Sequence, residues 1–228
     1  MKTNELQELA ARITAPMRTT GGRPFLEIVS PTLDLLAGGK PASSEEIAAA
    51  SGKSPEAVQA ALGQFPSTEW DEQGRVVGLG LTLHPTPHRL ELEGRPLFAW
   101  CALDALLFTV LLGRPASIES PCRGTGESVH IEVRPAGIET VEPPSAVVSI
   151  VAARDLASVR SVFCENVHFF ASPEAASRWL DRHPEATLLS VEEAFRLGRL
   201  IAEGLLHISH PDRSEDNKHE RTSGGNGR

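Results

Sequence analysis

Three cysteines, an aspartate and a histidine carry most of the chemistry open to this chain of 228 residues. Cys101 and Asp104 stand three residues apart inside the apolar run Leu97–Leu112, LFAWCALDALLFTVLL. On a helix, positions i and i+3 share a face, so a thiol and a carboxyl would sit side by side in apolar surroundings. A carboxyl placed there needs a partner or a proton, and burial raises its pKa toward that of a usable general acid. Arg95 and Arg114 flank the run and offer the plainer alternative, a salt bridge to Asp104. Cys164 falls in the strand-like run Phe163–Phe170, with His168 four residues on and on the same strand face. A Cys–His nucleophile pair is one reading of that spacing; a satisfied core histidine is the favoured one. Cys122 follows Ser120-Pro121 in a turn-like stretch and is read as structural. No two cysteines have C-x-x-C spacing, which disfavours a zinc knuckle or a redox dithiol.

An odd number of thiols cannot all pair, and a chain this long needs no disulfide staples, so a reducing, cytoplasmic setting is expected. The opening residues Met1–Glu8 are polar and have no apolar signal-like core. Lys and Arg number 22 against 30 Asp and Glu, a net charge of −8. That charge disfavours a general binder of nucleic acid or of anionic membranes. The run Leu97–Leu112 is too short for a confident membrane span and carries Asp104, so it reads as a buried helix, Pro96–Leu112.

The elements that must position these groups begin with a helix through Leu6, Leu9, Ala10 and Ile13, expected to end at Pro16. A second apolar segment, Phe25–Leu36, stops at Gly38-Gly39-Lys40-Pro41. Ser43 and Glu46 form an S-x-x-E capping box, Gly52 is a turn, and Ser54-Pro55 opens another helix to about Leu62. Strands at Thr68–Asp71 and Arg75–Thr82 would complete a wing, giving a winged-helix-like module over 1–82. The second helix of that pair has no Lys or Arg and carries Glu56, so it is poorly suited to reading DNA. After a loop from His84, a short strand precedes Gly94, and strands are expected at Ala116–Ser120, Val129–Val133 and Ala146–Val151. Helices at Ser172–Arg182 and Ser190–Leu206 close an α+β domain over 83–206. The tail 207–228 is polar and charged and is expected to be disordered.

The segment Arg95-Pro96-Leu97-Phe98-Ala99-Trp100-Cys101-Ala102-Leu103-Asp104 resembles the first active-site segment of the alkylmercury (organomercurial) lyases. Val162-Phe163-Cys164-Glu165-Asn166-Val167-His168-Phe169-Phe170-Ala171-Ser172 resembles their second, with Glu165 where some members carry another cysteine. The resemblance extends to the N-terminal module, Cys122, Glu142-Pro143 and Glu193-Ala194-Phe195-x-Leu197-Gly198. It implies an α+β fold, with helices and antiparallel strands behind the winged-helix-like module. The reaction it implies is protonolysis of a carbon–mercury bond, R–Hg–X to R–H and Hg(II). Cys101 and Cys164 are then the mercury ligands and Asp104 the proton shuttle. Thiolates suit this soft metal, and the departing carbon needs the proton a neighbouring carboxyl can give. Trp100 and the phenylalanines near Cys164 would house the organic group. The resemblance further implies no organic cofactor, Hg(II) as bound product, small cellular thiols as co-reactants and a mercuric reductase as acceptor. A monomer or weak dimer is expected.

Two other classes compete. A metal-sensing winged-helix regulator would put the N-terminal module on DNA, against the missing basic residues of its second helix. A redox protein pairing Cys101 with Cys164 would leave the buried Asp104 without a purpose.

Overall fold

A computed structural model describes residues 2–20, 22–65, 67–151 and 159–209. Four helices come first: α1 (Thr3–Thr20), α2 (Gly22–Leu36), α3 (Ser44–Ser51) and α4 (Pro55–Gly63). The caps expected from sequence are present. Ser43 and Glu46 form the reciprocal box at the start of α3, Gly52 closes it at φ 69°, and Ser54 caps α4 ahead of Pro55. α1 does not stop at Pro16 but continues to Thr20. A proline costs a helix one backbone bond. That cost is offset where Leu6, Ala10 and Ile13 are buried and the helix packs against the last helix of the chain.

The wing strands are β1 (Glu69–Trp70), β2 (Val76–Leu79) and β3 (Leu81–Thr82). In place of the single strand expected over Arg75–Thr82 there are two, because Gly80, at φ 82°, breaks the run. A Cβ at Gly80 would lie 2.6 Å from the Phe108 ring, so only glycine lets the chain turn there. The wing does not stand apart from the rest of the chain. β4 (His88–Leu92), β5 (Arg95–Ala99), β6 (Ala116–Pro121), β7 (Ser128–Arg134) and β8 (Gly137–Glu142) extend it into one antiparallel sheet of eight strands, ordered β1-β2-β3-β5-β4-β6-β7-β8.

The expected helix Pro96–Leu112 is corrected by this topology. Its first part is strand β5, which lies between β3 and β4 with Ala99 opposite both Leu81 and His88. The helix, α5, spans only Ala102–Leu112. An apolar run buried throughout has no period to separate strand from helix, and the change comes where Cys101 takes an extended backbone at φ −148°.

A second sheet, β10-β9-β11, is built from β9 (Val147–Ile150), β10 (Phe169–Phe170) and β11 (Thr187–Ser190). Helices α6 (Pro173–Leu180) and α7 (Val191–Ser209) complete the fold. Ser190 and Glu193 make the second capping box, at 3.2 and 3.0 Å. α7 packs on α1, α2 and α5, bringing the first and last described helices to one core. It runs three residues into the tail expected from 207; residues 210–228 lie outside the described residues. No described helix is long and apolar enough to cross a membrane.

Candidate active site

Cys101 is the residue before α5, not a member of it. Its backbone is extended, and its Sγ accepts the Asp104 amide at 3.4 Å, the bond a serine makes at a helix N-cap. The i, i+3 relation expected from sequence therefore holds by capping geometry. It fixes the thiol and the carboxyl relative to one another through a single turn of backbone.

Cys164 arrives by a different route. The strand expected over Phe163–Phe170 is confined to its last two residues. Val159–Phe163 forms a π-helical turn and Cys164–Asn166 a 3₁₀ turn. Phe163 and Val167 are buried but do not alternate with solvent-facing neighbours as a strand would. The turn is tied down by Ser149 of β9. Its Oγ donates to the Asn166 carbonyl at 2.9 Å and accepts the His168 amide at 3.0 Å. The Ala102 amide then donates to the Val167 carbonyl at 3.1 Å, joining the two cysteine-bearing segments directly.

The result is a cluster in which Cys101, Asp104 and Cys164 each offer a donor atom within 4.8 Å of the others. Cys164 Sγ donates to Asp104 Oδ2 at 3.6 Å. Burial drives the Asp104 pKa up to about 6, against hydrogen bonds from both thiols that favour the carboxylate. Burial likewise pushes Cys101 well above an ordinary thiol, and the negative charge on Asp104 adds to it. For Cys164, contact with Cys101 favours the thiolate. Burial and Asp104 outweigh that contact, so its pKa is also raised, with Arg160 pulling the other way. The cluster thus holds at most part of the negative charge its three acids could carry. A soft cation would release that restraint.

The plain alternative for Asp104 does not hold. Arg95 pairs with Glu93 at 3.4 Å, and Arg114 with Asp34 at 3.5 Å and Glu93 at 3.8 Å. His168 does not pair with Cys164, the less favoured of the two readings that strand spacing allows. Its ring stacks with His88 at 6.5 Å and meets Trp179 edge-on at 6.0 Å, and burial holds its pKa down to about 4. His88 itself is buried, with Nδ1 on Ser120 Oγ at 2.9 Å, and burial lowers its pKa to about 3.

A cavity of about 520 Å³ opens on the cluster, lined by Cys164, Trp100, His88, His168 and Cys122 among others. Cys101 is not in its wall and is wholly buried. Cys122 is buried and also lines the cavity. Burial alone would raise its pKa, but Thr125 and the backbone around Gly124 and Ala171 hydrogen-bond the sulfur and carry it below the ordinary value.

Two residues at the site carried no signal in the sequence. The Arg160 guanidinium lies 4.7 Å above the Trp100 ring, next to Cys101, and pairs with the Glu69 carboxylate of β1. Glu69 also accepts the Thr82 hydroxyl and lies 3.8 Å from His84 Nδ1. Phe65 stacks on the same Trp100 at 6.4 Å. The N-terminal module thereby backs Trp100, which lines the cavity.

Residues 81–203 match the family model described as alkylmercury lyase, and residues 7–80 match the helix-turn-helix domain of alkylmercury lyase. The chain belongs to the alkylmercury lyase family. An alkylmercury lyase of Bacillus cereus is 51% identical over 202 residues, 88% of this chain and 92% of that one. One from Staphylococcus epidermidis is 58% identical over 169 residues, 74% of this chain and 78% of that one. One from Pseudomonas putida is 42% identical over 193 residues, 84% and 91% of the two chains. Among solved structures, the mercury-bound form of MerB2 superposes with a TM-score of 0.74 at 26% identity, covering 89% of this chain and all of that one. The α+β architecture expected from sequence is that of this family. The helix-turn-helix here matches a domain of the lyases themselves, and its second helix, α4, has no basic residue in its last turn and an acid, Glu56, in its first.

Proposed function

We propose that this chain cleaves the carbon–mercury bond of organomercurials by protonolysis at Cys101, Asp104 and Cys164. The observation that carries the reading is the cluster itself, two thiols and one carboxyl within 4.8 Å of one another, with Cys164 opening on a cavity. Mercury prefers sulfur, and two thiolates on one mercury push electron density onto the carbon it holds. One thiol displaces X from R–Hg–X and gives up its proton to it. Asp104 takes the proton of the second thiol as that sulfur binds mercury. The bond between carbon and mercury then breaks, its electron pair stays with carbon, and Asp104 returns the proton there. The balance is R–Hg–X plus two thiols giving R–H, HX and mercury held by two thiolates. Asp104 ends as the carboxylate it began as, ready for the next turn. A pKa raised to about 6 suits a group that must both accept and donate near neutrality.

Trp100, Pro87 and Pro121 in the cavity wall would receive the organic group, and Cys122 would hold the loop that follows it. Release of Hg(II) requires exchange onto small cellular thiols, from which a mercuric reductase could accept it. The test is benzene release from phenylmercury with excess thiol, followed by gas chromatography. Wild-type protein should turn over, and Cys101→Ser and Cys164→Ser should not. Undiminished benzene release by either variant would overturn the reading.

A further inference from the structure

Beside the Cys164 cavity lies a second cleft, of about 420 Å³. The loop after β6 lines one side with Arg123 and Thr125; α6 and the turn after it line the other with Arg178, Trp179 and Arg182. Glu174 is the one acid in the wall, so the lining charge is 3 − 1 = +2. In a chain of net charge −8 this is the wrong sign for a neutral stretch of surface. Arg75, Arg89, Arg114, Arg134 and Arg160 all pair with carboxylates. Among the described residues, Arg123, Arg178 and Arg182 form no such ion pair; Arg182 Nε reaches only the Arg178 carbonyl, at 3.4 Å.

The cleft shares a wall with the cavity. Arg123 lines both, and Trp179 of the cleft stands edge-on to His168 of the cavity with ring centroids 6.0 Å apart. The loop is pressed onto α6: a Cβ at Gly124 would fall 2.0 Å from the Ala175 carbonyl oxygen. The cleft and the cavity thus adjoin at Arg123, the side chain common to both linings.

We infer that this cleft binds the carboxylates of a small anionic thiol and presents its sulfur to mercury in the Cys164 cavity. The inference rests on the proposed function, because it assigns the acceptor of that reaction's product. Mercury held by two buried thiolates leaves only for a ligand as soft, so the acceptor carries sulfur. Guanidiniums outside ion pairs bind oxyanions such as carboxylates in preference to neutral esters, so the acceptor is an acid. Glu174 in the same wall matches an ammonium, as a thiol peptide would carry. In the exchange, the incoming sulfur bonds mercury, the bond from mercury to Cys164 breaks, and the proton of the incoming thiol passes to Cys164. A second thiol repeats this at Cys101. No electron changes hands.

The probe is S-methylglutathione, which keeps both carboxylates and has no free thiol, compared by calorimetry with its diethyl ester. The wild-type protein should bind the acid at least tenfold more tightly than the ester. The surface substitutions Arg178→Gln and Arg182→Gln together should abolish that preference. Arg123→Gln, on the opposite wall, should weaken acid binding in the same direction. In phenylmercury turnover, the half-saturating concentration of glutathione should rise at least tenfold in the double variant, with that of glutathione diethyl ester unchanged. Equal binding of acid and ester, no binding of either, or a variant that binds the acid as wild type does would overturn the inference. A thiol-free burst of about one benzene per protein reports on the proposed function separately. Its absence alongside acid-selective binding would sink the reaction and leave the site.

Discussion

Glu69 of β1 and Arg160 of the turn before Cys164 form an ion pair that joins residues 91 positions apart, 160 − 69. The carboxylate is only 11% exposed and the guanidinium 42%. Because the same guanidinium covers Trp100, the pair orients the walls of both cysteine-bearing segments from the wing.

Glu69→Gln should therefore impair the reaction without touching a reacting atom. We expect kcat/KM to fall about tenfold, or about 1.4 kcal/mol. The loss should lie mostly in kcat, as expected where positioning is disturbed and thiol ligation is intact. A variant with wild-type kcat and kcat/KM would show that Glu69 plays no positioning role.

Asp104→Asn keeps the size of the side chain and removes its proton. Two thiols remain to bind mercury, so stoichiometric Hg(II) binding should survive. Hydrocarbon release should fall roughly 10²- to 10⁴-fold, the range for loss of a positioned acid–base. Mercury titration and gas chromatography on the same sample separate the two effects. Loss of metal binding together with activity would mean that Asp104 holds the site together and does not serve it as a shuttle.

Stability should fall on mild acidification because of His88. Its pKa is about 6.5 in the unfolded chain and about 3 in the fold, so below pH 6.5 the unfolded chain takes up the proton that the fold refuses. At pH 5 that amounts to about 1.5 pH units, or about 2 kcal/mol, and roughly 4–8 °C in Tm. His168 acts in the same direction. Asp104 acts in the opposite one: its raised pKa stabilises the fold below about pH 4 and is lost as pH rises through about 6. His88→Gln should show a smaller drop in Tm between pH 7 and pH 5 than wild type. An identical drop would put the acid sensitivity elsewhere.

The three thiols should react in a set order. Cys122 and Cys164 border the cavity, and Cys122 is the one whose pKa is lowered. Cys101 is wholly buried and its pKa is raised furthest. Under limiting iodoacetamide, mass spectrometry should find Cys101 modified last, and several-fold more slowly than Cys122. Early modification of Cys101 would require the site to open in solution.

What could be read from the chain tracked the range of the forces involved. The boxes at Ser43–Glu46 and Ser190–Glu193 are local, satisfied within four residues, and both are formed. The pairing of Cys101 with Asp104 is local too. It holds although Cys101 lies outside the helix, since an N-cap and its third helical residue meet as neighbours on a helix do. Strand β8, GIETVE, has no sequence signal because its burial does not alternate. The turn around Cys164 reads as strand because its aromatic neighbours favour strands, whereas Ser149 and Ala102 decide its path from other elements. Glu69 and Arg160 could not be paired in advance. Each is an ordinary charge in sequence, and only the sheet brings the wing beside that turn.

Ala102 bonds Val167 so that the two sulfurs face one another, though 164 − 101 = 63 residues separate them along the chain. A metal held by both is therefore a cross-link. By chain entropy, closing a loop of that length is worth about 4 kcal/mol against unfolding, comparable to a disulfide. Loaded with the proposed product, the protein would be a stapled polymer. Thiols that took mercury away would also undo the staple, so each round of release would return the chain to its looser form.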